Sequence, residues 1–443
     1  MLNKPLFESI FGVEFFKPLG RFLDFSRSRR NCPALPDPLW LEAGVRLCLS
    51  LVQSGRDFLQ HLVDHPQRVR QKVGYSLALV DLRGRVVSMR RARFLAPWKD
   101  SAVKPAIYHT ISRVVDRRFV FEGREREQFR MFMRMQENFS GCRVLSYCVM
   151  SNHFHVLLEV PPMPEEGIAE SVLLKRLSAI YTEAFVAEVA KELDEARKAG
   201  RDELVAEIHG RFTYRMHSLS EFMKTLLQRF TRWFNRTHER SGTLWEERYK
   251  SVIVESGIAA RTMAAYIDLN PVRAGMVADP AAYRWSSYGE AMGGGMKGNG
   301  KKAREGLVRA CMSHEGAGFE AERWKEVSRI YRRAMGLALG RKSGRAEVEK
   351  GVARPQMNTA EALEAEGNGT VLTDIGMAAM LRHRVRYFTD GAVIGSKSFV
   401  NEVFAGARER FTANRKDGAR RMRGSGAPAA GKLWSLRDLR VRV

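Results

Sequence analysis

The order of elements along the middle of the chain predicts an α+β fold: a ferredoxin-like antiparallel sheet with helices on one face. Three observations carry that prediction. Residues 107–115, 143–150 and 153–160 alternate with the two-residue period of strands, while residues 124–139 and 220–237 repeat their apolar positions with helical spacing. Met150-Ser151-Asn152 is a turn that joins the second and third strands as a hairpin. A fourth strand at 249–255 is followed by a helix over 258–269, which Pro271 ends. Strand, helix, strand, strand, helix, strand is the ferredoxin-like order.

The 443 residues exceed what one core usually holds, so at least two domains are expected. Residues 1–95 form an N-terminal region with helical spacing over 39–63 and a short hairpin around Arg83-Gly84, and carry no recognisable chemistry. The candidate catalytic domain spans 96–292. Within it, 164–217 turns helical and highly charged, which reads as a surface insertion. The glycine- and lysine-rich stretch 293–302 reads as a linker to a basic, mainly helical C-terminal region, 293–443. Residues 371–411 offer two helices around Thr389-Asp390-Gly391, a helix-turn-helix pattern suited to sequence recognition. From Arg408 onward the tail is very basic, with phosphate contact and a merely solvated end both open.

Composition narrows the partner. Lys and Arg number 74 against 50 acidic residues, a formal net charge of +24. Such a surplus suits a polyanion, because neutralised phosphates release counterions. No apolar run reaches membrane-spanning length, and Lys4, Glu8 and Glu14 interrupt the N-terminus where a signal peptide needs an apolar core. A cytoplasmic, nucleoid-associated protein with no membrane partner is expected. The five cysteines contain no C-x-x-C pair, which argues against a disulfide framework or a cysteine zinc site.

Two constellations could do chemistry. In Asn152-His153-Phe154-His155, strand alternation points His153 and His155 to one face and Phe154 to the other. Imidazoles about 6 to 7 Å apart can share one divalent cation, although a pair of ordinary surface histidines fits the pattern too. Tyr266 and Asn270 lie four residues apart at the end of a helix, so they share a face. The amide offers an oxygen to a hard cation and the phenol is a candidate nucleophile. A packed Tyr266 and a capping Asn270 are the bland alternative.

Together with their neighbours these residues resemble REP-associated tyrosine transposases, of the HUH single-tyrosine superfamily. Tyr108-His109-Thr110-Ile111-Ser112-Arg113 matches the opening Tyr-His-x-x-Ser-Arg block, and Met150 to His155 the Met-x-Asn-His-hydrophobe-His hairpin. Phe234-Asn235-Arg236 matches the helix ending in Phe-Asn-Arg. Gly242 to Ser251 matches Gly-x-Leu-Trp-x-x-Arg-Tyr-Lys-Ser, and Tyr266 to Gly275 the nucleophile block. Tyr283 to Ser287 matches the closing Tyr-x-Trp-Ser-Ser. The six blocks occur in order over roughly 180 residues, in the middle of the chain only.

The resemblance implies an HUH nuclease core with His153 and His155 as metal ligands, Asn270 as the third protein ligand and Tyr266 as nucleophile. It implies Mg²⁺ or Mn²⁺ as cofactor and single-stranded or hairpin DNA, such as repetitive palindromic elements, as partner. A homodimer is compatible with it. The expected activity is cleavage and rejoining of DNA through a 5′-phosphotyrosine. The alternative is a domesticated nucleic-acid-binding protein that makes no cuts; an RNA-binding regulator is a third reading. Arg229, Arg232, Arg236 and Arg248, with Trp233 and Arg240 nearby, put cations and an aromatic where a DNA strand would need them, and Arg273 is a further candidate. Tyr249, Tyr283 and Tyr288 lack an amide four residues on and rank below Tyr266, and His109 is read as structural.

Overall fold

A computed structural model describes residues 79–80, 86–87, 93–293, 299–312, 323–340, 381, 387–412, 414–422 and 433–437. The chain divides into two units, Met1–Arg91 and Ala92–Val443. In the first, Leu79–Val80 pairs antiparallel with Val86–Val87 in a register centred on Arg83, as the expected hairpin requires. The helical stretch expected over 39–63 lies outside the described residues.

The second unit is built on one sheet. Its core strands are β1 (Ala106–Arg113), β2 (Arg143–Val149), β3 (His153–Val160) and β4 (Lys250–Val254). All pair antiparallel in the order β2-β3-β1-β4. Between β1 and β2 runs α1 (Gly123–Ser140), opened by a reciprocal capping box of Glu122 and Glu125 and closed by Gly141 at φ 72°. The helix that precedes β4 is α5 (Leu219–Thr237), capped where the Ser218 hydroxyl accepts from the Glu221 amide.

Both helices bury an aromatic stripe against one face of the sheet. Phe129 of α1 and Phe230 of α5 pack with Phe154 and Val156 of β3, all fully buried. Burying each such side chain contributes roughly 1.5–3 kcal/mol. The expected α+β core, with its two helices on one face, is therefore present.

The sheet extends further than that expectation. β5 (Val393–Gly395) pairs parallel with β4, and β7 (Trp434–Leu436) pairs antiparallel with both β5 and the edge strand β6 (Arg420–Arg421). The result is a mixed sheet of seven strands. Residues beyond 293 thus share the sheet of the core. The tail beyond Arg408 supplies two of its strands, so it is not wholly a solvated end.

The second face of the sheet is also covered. α6 (Ile258–Asp268) lies there, with α7 (Ser287–Gly293), α8 (Asn299–Cys311) and α9 (Trp324–Gly340) packed beside it. α6 buries Ala259, Ala260, Ala264 and Ala265, side chains small enough to let the helix approach closely. α8 comes closer still, since a Cβ at Gly306 would stand 2.3 Å from the Val144 carbonyl oxygen. It begins at Asn299, so the last part of the expected 293–302 linker is its first turn, while 294–298 lie outside the described residues.

The charged segment 164–217 holds α2 (Glu170–Leu177), α3 (Glu183–Lys198) and α4 (Asp202–Thr213). They enclose a small core of their own around Leu173, Leu193 and Phe212. The chain returns where it left: the His217 amide donates to the Ser140 carbonyl at 2.8 Å, and its ring meets the Pro161 carbonyl. Fifty-odd extra residues therefore leave the step from β3 to α5 undisturbed. Among the described residues β5 separates the short helix Tyr387–Asp390 from α10 (Lys397–Gly406), which interrupts the expected helix-turn-helix pattern around Asp390. Most of 371–386 lies outside the described residues.

Candidate active site

His153 and His155 project from β3 towards the α6 side of the sheet. Phe154 goes the other way and is fully buried with Phe129 and Trp245. The two imidazole rings lie 5.0 Å apart, nearly perpendicular. His155 is buried and His153 half-buried at the strand start. Opposite His153 on β1 stands Arg113, and His155 pairs with Ile111.

His109 of β1 is on the same face as His155. Cross-strand register pairs His109 with Leu157, which places it diagonal to His155. The two rings stack at 5.2 Å, and His109 Nε2 meets His155 Nδ1 at 3.0 Å. The other His109 nitrogen, Nδ1, meets the Phe388 carbonyl oxygen at 2.8 Å.

Tyr266 comes from α6. Its half-buried ring stands edge-on to His155 at 6.0 Å and to His109 at 6.2 Å. Phe388 stacks on it at 4.5 Å. A phenol and two strand histidines, more than a hundred residues apart in sequence, thus meet within one chain. Asn270 opens the short helical turn Asn270–Arg273, half-buried, with Nδ2 donating to the Ile267 carbonyl. That bond engages the amide nitrogen, so the oxygen is the atom with which a cation could bond.

Residues 102–195 match the protein-family model described as IS200-like transposase. That segment is similar to an IS200-like transposase domain. The match supports a transposase-like, DNA-processing role. No curated protein matches the chain. A solved structure described as a REP-associated tyrosine transposase bound to a REP hairpin is similar at 12% identity, over 53% of this chain and 96% of that one, with a TM-score of 0.27.

Around α6 the domain is held by groups the sequence did not single out. Asp268 is fully buried beside Tyr266 and accepts from the Tyr288 amide at 3.0 Å and the Tyr331 hydroxyl at 2.7 Å. Burial pushes its carboxyl up to about 7. The other tyrosines of the domain are engaged elsewhere. Tyr283 donates to the Val149 carbonyl at 2.6 Å, Tyr249 lies under the Arg93 guanidinium, and Tyr288 packs on Tyr331. Burial raises all three phenols above their ordinary value, Tyr288 to about 12.

The donor chemistry suits a divalent cation. Burial pushes the His153 imidazole down to about 4, helped by the nearby Arg113 charge, and pushes His155 well below its ordinary value. Neutral imidazoles keep a lone pair for a cation. Among the described residues no cluster of three or more His, Cys, Asp or Glu forms a ready cage.

The arginines expected to meet DNA divide into two sets. Arg232, Arg236 and Arg248 are exposed, the first two one turn apart on α5. Arg229 is half-buried over the Phe132 ring, and Trp233 packs on Phe230. Arg273 is engaged differently. It lies over the Tyr266 ring at 4.9 Å and donates to the carbonyls of Tyr266 and Leu381, which makes it a brace for the end of α6. Beyond the end of α5 a cavity of about 360 Å³ is lined by Val115, Arg118, Phe119, Phe234, His238 and Arg240. No helix among the described residues is long and apolar enough to cross a membrane.

Proposed function

We propose that this chain cleaves and rejoins single-stranded or hairpin DNA, with Tyr266 as nucleophile and His153, His155 and Asn270 holding a Mg²⁺ or Mn²⁺ ion. The observation that carries this reading is the meeting of the Tyr266 ring with His155 at 6.0 Å on one face of the sheet. A divalent cation at the imidazoles would polarise the scissile phosphate and offset charge on its oxygens.

The chain's own residues do the rest. Tyr266 Oη forms a bond to phosphorus as the bond to the 3′ oxygen breaks in line. The phenolic proton leaves to solvent, and the departing oxygen takes up a proton to become a 3′-OH. A 5′-phosphotyrosine remains on the chain, and a 3′-OH from another end can reverse the step. The energy of the phosphodiester is kept in the covalent link, so rejoining needs no ATP. Phe388, stacked on the phenol, and Arg273, whose guanidinium lies over the same ring, restrict it to few orientations. The exposed Arg232, Arg236 and Arg248 would track the strand backbone, and the cavity beside Phe119 has the apolar and cationic walls that suit an unstacked base.

The test is a covalent adduct. Wild-type protein with a hairpin oligonucleotide and Mn²⁺ should give a denaturing-gel shift that EDTA abolishes. Tyr266→Phe removes one oxygen and keeps the ring, so DNA affinity should stay within about two-fold while the adduct disappears. Peptide mapping that put the DNA on Tyr249, Tyr283 or Tyr288 would overturn the assignment. Salt-sensitive binding with no adduct at all would favour the non-cleaving alternative.

A further inference from the structure

A metal-binding imidazole works through one nitrogen, and the bond made by the other nitrogen decides which one carries the lone pair. At His155 that bond is to His109, and the direction of each hydrogen bond can be followed from a fixed end. A backbone carbonyl only accepts, so at 2.8 Å from the Phe388 oxygen His109 Nδ1 must carry the proton. A neutral imidazole holds one proton, and the bond to the Phe388 oxygen places it on Nδ1. Its Nε2 is then an acceptor. The 3.0 Å contact requires His155 Nδ1 to be the donor, which leaves the lone pair of His155 on Nε2.

His153 is set by a separate chain of the same logic. Asn152 Nδ2 donates to the Arg117 carbonyl at 2.9 Å, which turns its Oδ1 towards His153 Nδ1 at 2.7 Å. That ring must also donate from Nδ1 and keep its lone pair on Nε2. Two independent relays, each anchored on a main-chain carbonyl, leave both histidines in the same tautomer.

We propose that His109 is a positioning residue that fixes the tautomer of His155, with the Phe388 carbonyl as the anchor, and so prepares Nε2 to receive a divalent cation. The inference rests on the reading of His155 as a ligand for its consequence, but the tautomer itself is a property of the metal-free chain. It gives a stretch near residue 388 a part in a site whose proposed ligands and nucleophile end at 270. Phe388 serves twice there, since its ring stacks on Tyr266 while its carbonyl holds His109.

The experiment compares wild type with His109→Leu and His109→Gln. Leu fills much of the space and accepts nothing, while the Gln amide oxygen can reach the position of Nε2. Two readouts are taken. Long-range ¹⁵N–¹H spectra of metal-free protein, with His155 assigned by substitution, report which nitrogen bears the proton. Titration with Mn²⁺ alone reports affinity. Wild type should show His155 protonated at Nδ1, Leu should show a mixture of tautomers, and Gln should restore Nδ1–H. Mn²⁺ affinity should fall on the order of 10–100-fold for Leu and recover substantially for Gln. Wild-type His155 protonated at Nε2, or a Leu variant with an unchanged spectrum, would overturn the relay. Wild type that bound no Mn²⁺ would overturn the ligand assignment, while the nitrogen spectra would still decide the relay.

Discussion

In the proposed site Asn270 would decide whether the cation has two protein donors or three. Its amide nitrogen is held by the Ile267 carbonyl, which leaves the oxygen as the available donor. Asn270→Ala should therefore weaken Mn²⁺ binding and adduct formation together, with adduct recovering as Mn²⁺ is raised. His153→Ala and His155→Ala should be more severe, because each removes an imidazole that burial already keeps neutral. Adduct yield against Mn²⁺ concentration checks this, and an Asn270→Ala curve that overlaid wild type would remove that residue from the donor set. At this scale the pair on β3 was legible, since residues two apart on a strand must share a face. His109 was not. Whether it shares that face depends on the register between β1 and β3, and no residue of β1 reveals the pairing of His109 with Leu157. Arg273 is ambiguous for a related reason. Its sequence position beside Tyr266 is the same whether the guanidinium meets a phosphate or two carbonyls of its own chain.

Among the elements, α6 has the most demanding task, because it must hold one phenol still against a sheet. Its C-terminal end is pinned by Asp268, which accepts from α7 through the Tyr288 amide and from α9 through the Tyr331 hydroxyl. Removing that carboxyl strands two buried donors, at about 1–3 kcal/mol each. Asp268→Ala is expected to lower stability by about 2–6 kcal/mol on that basis, while Asp268→Asn, which still accepts, should lose less than half as much. Urea unfolding measures both. Equal losses for the two would show that the hydrogen bonds are not what holds α6. The four core strands and the two helices between them followed from periodicity alone, β3 with its observed ends. The covering of the second face did not. α6, α7, α8 and α9 pack there through long-range partners such as Arg309 of α8 with the buried Glu159 of β3, at 3.1 Å. Nothing local in either segment marks that pairing.

For the molecule as a whole, charge would set how DNA is held in the proposed reaction, and the C-terminal strands set where part of that charge sits. A net charge of +24 makes a phosphate-dominated interface the expected mode, so affinity should fall steeply between about 50 and 200 mM salt. Deleting the basic tail would be an ambiguous test of its part in this. β6 and β7 lie within it, and without β7 the strand β5 would have no partner on that side. A deletion would therefore mix lost charge with a damaged sheet edge. Neutralising the edge strand separates the two. Arg420 and Arg421 are exposed on β6, the last strand of the sheet, where side-chain charge can change with little effect on packing. Arg420→Gln with Arg421→Gln should leave thermal stability nearly unchanged. It should reduce the slope of log affinity against log salt by about 0.7–0.9 for each phosphate that the pair neutralises in the wild type. Fluorescence anisotropy with a labelled hairpin across the salt range gives that slope. A double variant with wild-type slope and wild-type affinity would confine the DNA to the α5 side of the molecule, and the basic tail would then serve the sheet rather than the strand.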